Sequence, residues 1–127
     1  MATRSNIAHL TDNGWEYVYC HWDGYPSNNG SILLNHYSNG EKVAALVGLG
    51  DISSLHENLD DVVAYHRWRG EPWEDVKPKI IEKDIRGIPA ALVEQEWGYA
   101  WDGEKWWVKA CGDDDWMELT QSFILKH

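Results

Sequence analysis

Basic residues are scarce. Eleven lysines and arginines stand against 21 aspartates and glutamates, so the formal net charge is −10 at pH 7. This balance argues against general nucleic-acid binding, which is driven by phosphate neutralisation. It argues equally against adhesion to an anionic membrane surface. Cysteine is nearly missing. Cys20 and Cys111 are too few for a disulfide framework or a four-thiolate zinc site, and free thiols fit a reducing cytosol. Long apolar runs are missing too. Met1 to Asn6 lacks the apolar core of a signal peptide, and no apolar run of about 18 residues follows. A cytoplasmic protein is the expectation. Phenylalanine occurs once, against nine tryptophans and six tyrosines. Those rings suit places where one edge must meet a polar group. They either build a small aromatic core with satisfied polar tips or line a site.

At 127 residues the chain is expected to form a single domain over residues 1–127. Ser5 to Leu10 and Trp15 to Trp22 read as strands, with Thr11-Asp12-Asn13-Gly14 as the hairpin between them. In the second strand Trp15, Tyr17, Tyr19 and His21 share one face, and Glu16, Val18, Cys20 and Trp22 the other. Both faces carry apolar bulk, which predicts a central strand covered on both sides. Helices are predicted from Ser31 to Tyr37 and from Glu41 to Leu49, separated by Ser38-Asn39-Gly40. Asp51 to Leu59 reads as a polar connector, and Val62 to His66 as a third strand. Arg67 to Trp73 looks like a loop. Glu74 to Arg86 is ambiguous, because Pro78 argues against one uninterrupted helix. A short helix is predicted for Ile88 to Glu96, then a second hairpin from Trp97 to Trp101 and Trp106 to Cys111. Trp116 to Leu125 fits a short strand or a helix. The expected class is α+β: an antiparallel sheet of about five strands, two hairpins plus a lone strand, with short helices packed on one side.

Chemistry-bearing side chains gather in two stretches, Tyr19 to Pro26 and Ala64 to Glu71. Cys20, His21, Asp23 and His36 could supply metal ligands, but no pair has zinc-site spacing. Neither a metal nor a cofactor is expected. Cys20 as a nucleophile would need a nearby histidine and a lowered pKa. Its place beside Val18 fits an inert buried thiol better. Anion recognition is the stronger reading. Arginine forks match phosphate or carboxylate oxygens, and tryptophan faces stack on bases. The candidate ligand-binding residues are Arg4, His21, Trp22, Asp23, Tyr25, His36, Tyr37, His66, Arg67, Arg69 and Trp73. If the two strands were neighbours, His21, Asp23 and Tyr25 would face His66, Arg67 and Arg69 across a cleft. Helix Ser31 to Tyr37 would then close the wall. Alternatively, both stretches only pin the hairpin to the helices.

The pattern resembles a largely uncharacterised family of small proteins met chiefly in bacteriophage and prophage genomes. The resemblance rests on Thr3-Arg4-Ser5, Tyr19-Cys20-His21-Trp22-Asp23-Gly24-Tyr25-Pro26, Leu33-Leu34-Asn35-His36-Tyr37, Leu49-Gly50-Asp51-Ile52-Ser53-Ser54-Leu55 and Ala64-Tyr65-His66-Arg67-Trp68-Arg69-Gly70-Glu71. It covers most of the chain except about Glu74 to Glu96. It brings no catalytic residues. It implies a phage protein acting in the host cell cytosol, where small acidic phage proteins often counter host defence. The leading expectation is a non-enzymatic binder that sequesters a small anionic, nucleotide-like ligand, or one that inhibits a host defence protein directly through its acidic surface. The alternatives are a small hydrolase or transferase using His21, His66 and Cys20 or Asp23, and a phage protein with no ligand. Excess ring content predicts a homo-oligomer with tryptophans of the terminal hairpin at its contact.

Overall fold

The computed structural model describes residues 2–83 and 87–127. It is an α+β protein built on one eight-stranded, mostly antiparallel sheet. The strands are β1 (Ser5–Thr11), β2 (Gly14–Cys20), β3 (Ile52–Ser54), β4 (Val63–Ala64), β5 (Lys79–Ile81), β6 (Trp97–Trp101), β7 (Trp106–Ala110) and β8 (Met117–Glu118). Their order is β4-β3-β2-β1-β6-β7-β8, with β5 also paired to β2. The helices are α1 (Ser31–His36), α2 (Gly40–Val47), α3 (Tyr65–Arg69), α4 (Trp73–Val76) and α5 (Gln121–Lys126). No helix among the described residues is long and apolar enough to cross a membrane.

Both predicted hairpins form. β1 pairs with β2 from Thr11↔Gly14 to Ser5↔Cys20, turning at Asp12 and Asn13. Gly14 takes a positive φ of 131° and lies against the Ile81 carbonyl, where a Cβ would collide. β6 pairs with β7 from Trp101↔Trp106 to Trp97↔Ala110. The two hairpins join through a parallel pairing of β1 with β6, Ser5↔Trp97 to His9↔Trp101. A second parallel contact, Cys20↔Ile52, joins β2 to β3.

The predicted alternation in β2 holds. Val18 and Cys20 enter the larger core with Ile7, Tyr99, Trp106 and the inward residues of α1 and α2. Trp15 and Tyr17 enter a smaller core on the opposite face, with Ala8, Leu92 and Ala100. In α2, Val43, Leu46 and Val47 are buried at helical spacing. Asn39 caps that helix, its side chain accepting from the Lys42 amide at 2.8 Å.

Several expectations are corrected. The sheet has eight strands, not about five. Three of the extra strands hold only two or three residues, too short for an alternation to register. Thus β3 lies inside the supposed connector, and β5 follows α4 in the ambiguous stretch. Positions 84–86 of that stretch lie outside the described residues. The expected strand Val62 to His66 is a strand only at Val63–Ala64 and then a helix. Its β-branched and aromatic content misled. Arg67 Nη2 and Trp68 Nε1 both donate back to the Val62 carbonyl, at 2.5 and 3.0 Å, which winds the following residues. The stretch read as a loop therefore begins inside α3 and ends at the start of α4. The helix expected from Ile88 to Glu96 is only a 3₁₀ turn at Ala90–Leu92. Trp116 to Leu125 divides between β8 and α5. Of the terminal hairpin's tryptophans, Trp101 and Trp106 are buried within the chain, while Trp97 and Trp107 stay half-buried.

Candidate functional site

The loop after β2 is tied down from several directions. Asn29, fully buried, donates from Nδ2 to Ser5 Oγ at 3.3 Å, to Cys20 Sγ at 3.4 Å and to the Trp22 carbonyl at 3.4 Å. Tyr99 Oη donates to the Gly24 carbonyl at 2.6 Å, and the Gly24 amide donates to the Thr3 carbonyl at 2.8 Å. A Cβ on Gly24 would lie 2.8 Å from Ser5 Cβ, so only glycine lets these two backbones approach. Asp23 has φ 57°, in the left-handed region. Its carbonyl accepts from the Asn29 amide and from Asn28 Nδ2, each at 3.3 Å. The loop is a fixed platform.

That platform forms one wall of a cleft of about 330 Å³. Trp22, 44% exposed, presents its indole there. Ile32 and Leu55 supply apolar floor, and Asp23, Glu57 and Asp61 supply carboxylates. The His21 ring meets the Trp22 ring edge-to-face at 4.7 Å. Tyr25 Oη donates to Asp23 Oδ1 at 3.4 Å. His36 Nε2 sits 3.6 Å from Glu57 Oε1. Among the described residues no lysine or arginine lines the cleft. An indole face among carboxylates attracts a cation by ring quadrupole and by charge. It repels the anion that the sequence led us to expect.

The other predicted residues lie elsewhere. Tyr37 is buried. Its hydroxyl donates to the His56 carbonyl at 2.8 Å, and its carbonyl accepts from Trp106 Nε1 at 2.9 Å. It pins the core and does not wall a cleft. Arg67 Nη2 donates to the Leu59 and Val62 carbonyls, so its fork is committed to the backbone. His66 Nδ1 bonds the Glu71 carbonyl at 2.8 Å, and its ring meets Trp73 at 5.3 Å. The expected cleft between the two stretches does not form, because β3 lies between β2 and β4: Ile52 pairs with both Cys20 and Ala64. Arg4, His21 and Arg69 gather at the other face of this sheet end. There Tyr19 Oη lies 2.6 Å from His21 Nδ1, and the Arg69 guanidinium lies 5.0 Å from the Tyr65 ring centre. Burial raises the pKa of Tyr19 and the positive field of Arg4 opposes it. Burial likewise raises that of Tyr65, opposed by a bond to Ser53 and by Arg69.

Cys20 is fully buried. Burial pushes its thiol pKa up to about 11, against the pull of the Asn29 amide. Its hydrogen-bond partners are Asn29 and the Trp22 carbonyl, and no histidine is among them. This is the opposite of an activated nucleophile. Among the described residues no group of three or more His, Cys, Asp or Glu side chains is placed to hold a metal.

Sequence reasoning missed Glu57 and Asp61, and it missed Asn29. The carboxylates lie in His56-Glu57-Asn58-Leu59-Asp60-Asp61, whose acidic density was the available signal. Asn29 lies in a polar, loop-like run and nothing marked it as buried.

Fold and site together define an α+β protein with an aromatic, acid-rimmed cleft on a rigid loop. Comparison with known proteins gave no matching family model, no matching curated protein and no matching solved structure.

Proposed function

We propose that this chain is a non-enzymatic binding protein, a phage counter-defence factor acting in the host cytosol. In this reading it inhibits a host protein by engaging a basic surface through the Trp22 cleft. The carrying observation is the cleft itself: an exposed indole beside Asp23, Glu57 and Asp61, with no lysine or arginine among the described residues lining it. A lysine or arginine entering there meets a ring face and carboxylates together. The net charge of −10 adds long-range steering towards a basic partner. The phage setting rests on the sequence resemblance. The hydrolase or transferase reading draws less support, since Cys20 is sealed and His66 is bonded to a backbone carbonyl.

The test uses an arginine-rich peptide as probe, followed by tryptophan emission at physiological salt. Binding should weaken about tenfold, ~1.4 kcal/mol, in Trp22→Ala and in the Glu57→Lys, Asp61→Lys double variant. Equal binding by parent and both variants would leave only non-specific attraction and end this reading.

Self-association belongs to the same proposal. With Trp101 and Trp106 buried, we place its contact on Trp68, a residue 60% exposed. The expected mass exceeds the monomer at concentrations on the order of tens of micromolar. A clean monomer there removes the oligomer.

A further inference from the structure

One end of the sheet carries a row of polar side chains on the face opposite the Trp22 cleft. Ser5, Cys20, Ile52 and Ala64 pair in succession across β1, β2, β3 and β4. All four are fully buried, so they mark the core face. Strand alternation places their neighbours on the other face: Arg4 just before β1, Tyr19 on β2 and His21 just after it, and Ser53 on β3, and the Tyr65 hydroxyl at the start of α3 bonds Ser53. Arg69 follows Tyr65 by one helical turn and stacks on its ring at 5.0 Å. Four strands at the usual spacing span about 14 Å, with one arginine at each end of the row.

Both arginines are exposed. Among the described residues no ion pair involves either guanidinium. This separates them from Arg67, whose fork is used by backbone carbonyls. Between them lie the Tyr19–His21 pair, which shares one hydrogen bond at 2.6 Å and so leaves one outward donor, and the Tyr65 hydroxyl. Three carboxylates also stand at this end, Asp51, Glu71 and Glu96, and Glu96 Oε2 accepts from the Arg4 amide at 3.2 Å. Asp51 is turned to the Tyr19 amide at 3.0 Å, and burial raises its pKa.

We infer that this row is a second binding site, for the phosphate chain of a small nucleotide-class molecule. Arg4 and Arg69 clamp its two ends, and the Tyr19–His21 pair, through its one outward proton, and Tyr65 donate between them. Long arginine side chains can converge from the ends of the row, and their planar forks grip phosphate oxygens bidentately. The anionic ligand that the acid-rimmed cleft repels has here a place of its own. This inference does not rest on the cleft, and either site can fail alone.

The experiment is calorimetric titration of the parent protein with inorganic tripolyphosphate and with ATP. Arg4→Ala, Arg69→Ala and Lys105→Ala are titrated alongside, with folding checked by melt. Both probes should bind the parent. Each arginine variant should weaken them about tenfold or more, while Lys105→Ala, which removes a cation remote from the row, binds like the parent. No binding by either probe at concentrations on the order of 1 mM overturns the site. So does unchanged affinity in both arginine variants. Binding of ATP without tripolyphosphate would mean that the base is read, and overturns the phosphate assignment.

Discussion

Replacing Asn29 by alanine should cost about 2–4 kcal/mol of stability and loosen the Trp22 loop. Two terms add. A buried side chain disappears from a fully closed position, leaving a cavity. Ser5 Oγ loses a donor in a buried position, and an unsatisfied buried group costs about 1–3 kcal/mol; the part-buried Trp22 carbonyl keeps only Cys20 Sγ. Because Cys20, Ser5 and Trp22 share this one amide, their losses come together. Denaturant melts of parent and Asn29→Ala give the difference, and Trp22 emission reports the loop. A cost under about 0.5 kcal/mol, the range of ordinary surface changes, would show that the loop is held by Tyr99 and Gly24 instead.

Trp106→Ala should be costlier, about 3–5 kcal/mol for a buried aromatic. Its side chain is 1% exposed and lies 5.5 Å from the Trp101 ring. Its Nε1 donates to the Tyr37 carbonyl at 2.9 Å, joining β7 to the end of α1. Trp106→Phe keeps a six-membered ring and loses that bond with the smaller ring's volume, so a lesser cost of about 1–3 kcal/mol is expected. The effect should travel. Tyr37 Oη holds the His56 carbonyl, and His56 lies in the cleft wall. Thermal melts rank the two variants, and near-ultraviolet circular dichroism reads the aromatic packing. Equal losses in Ala and Phe would assign the whole effect to the hydrogen bond and none to the ring.

Long patterns were legible in the sequence and short ones were not. The alternation along β2 is seven residues deep and correctly announced a strand covered on both faces. The spacing of Val43, Leu46 and Val47 announced α2 in the same way. β3 and β4 hold three and two residues, and their pairing partners are remote. No local signal can state that Ile52 slips between Cys20 and Ala64. That single insertion decided the site. It separated the two chemistry-rich stretches, and it sorted their residues by alternation. Arg4, His21 and Arg69 went to one face, and Trp22 and Asp23 to the other. Residue type pointed to binding chemistry. The charge of each face needed the sheet order.

The parallel pairing of β1 with β6 bears on how the chain is made. A ribosome delivers β1 and β2 first, and they can zip together as soon as both emerge. The other side of β1 finds its partner only when Trp97 to Trp101 have been added. Until then an open strand edge carries Ile7 and Ala8, both fully covered in the finished protein. Such an edge invites pairing with another nascent chain. Slowing synthesis between the two hairpins should therefore raise the aggregated fraction more than slowing it after β7.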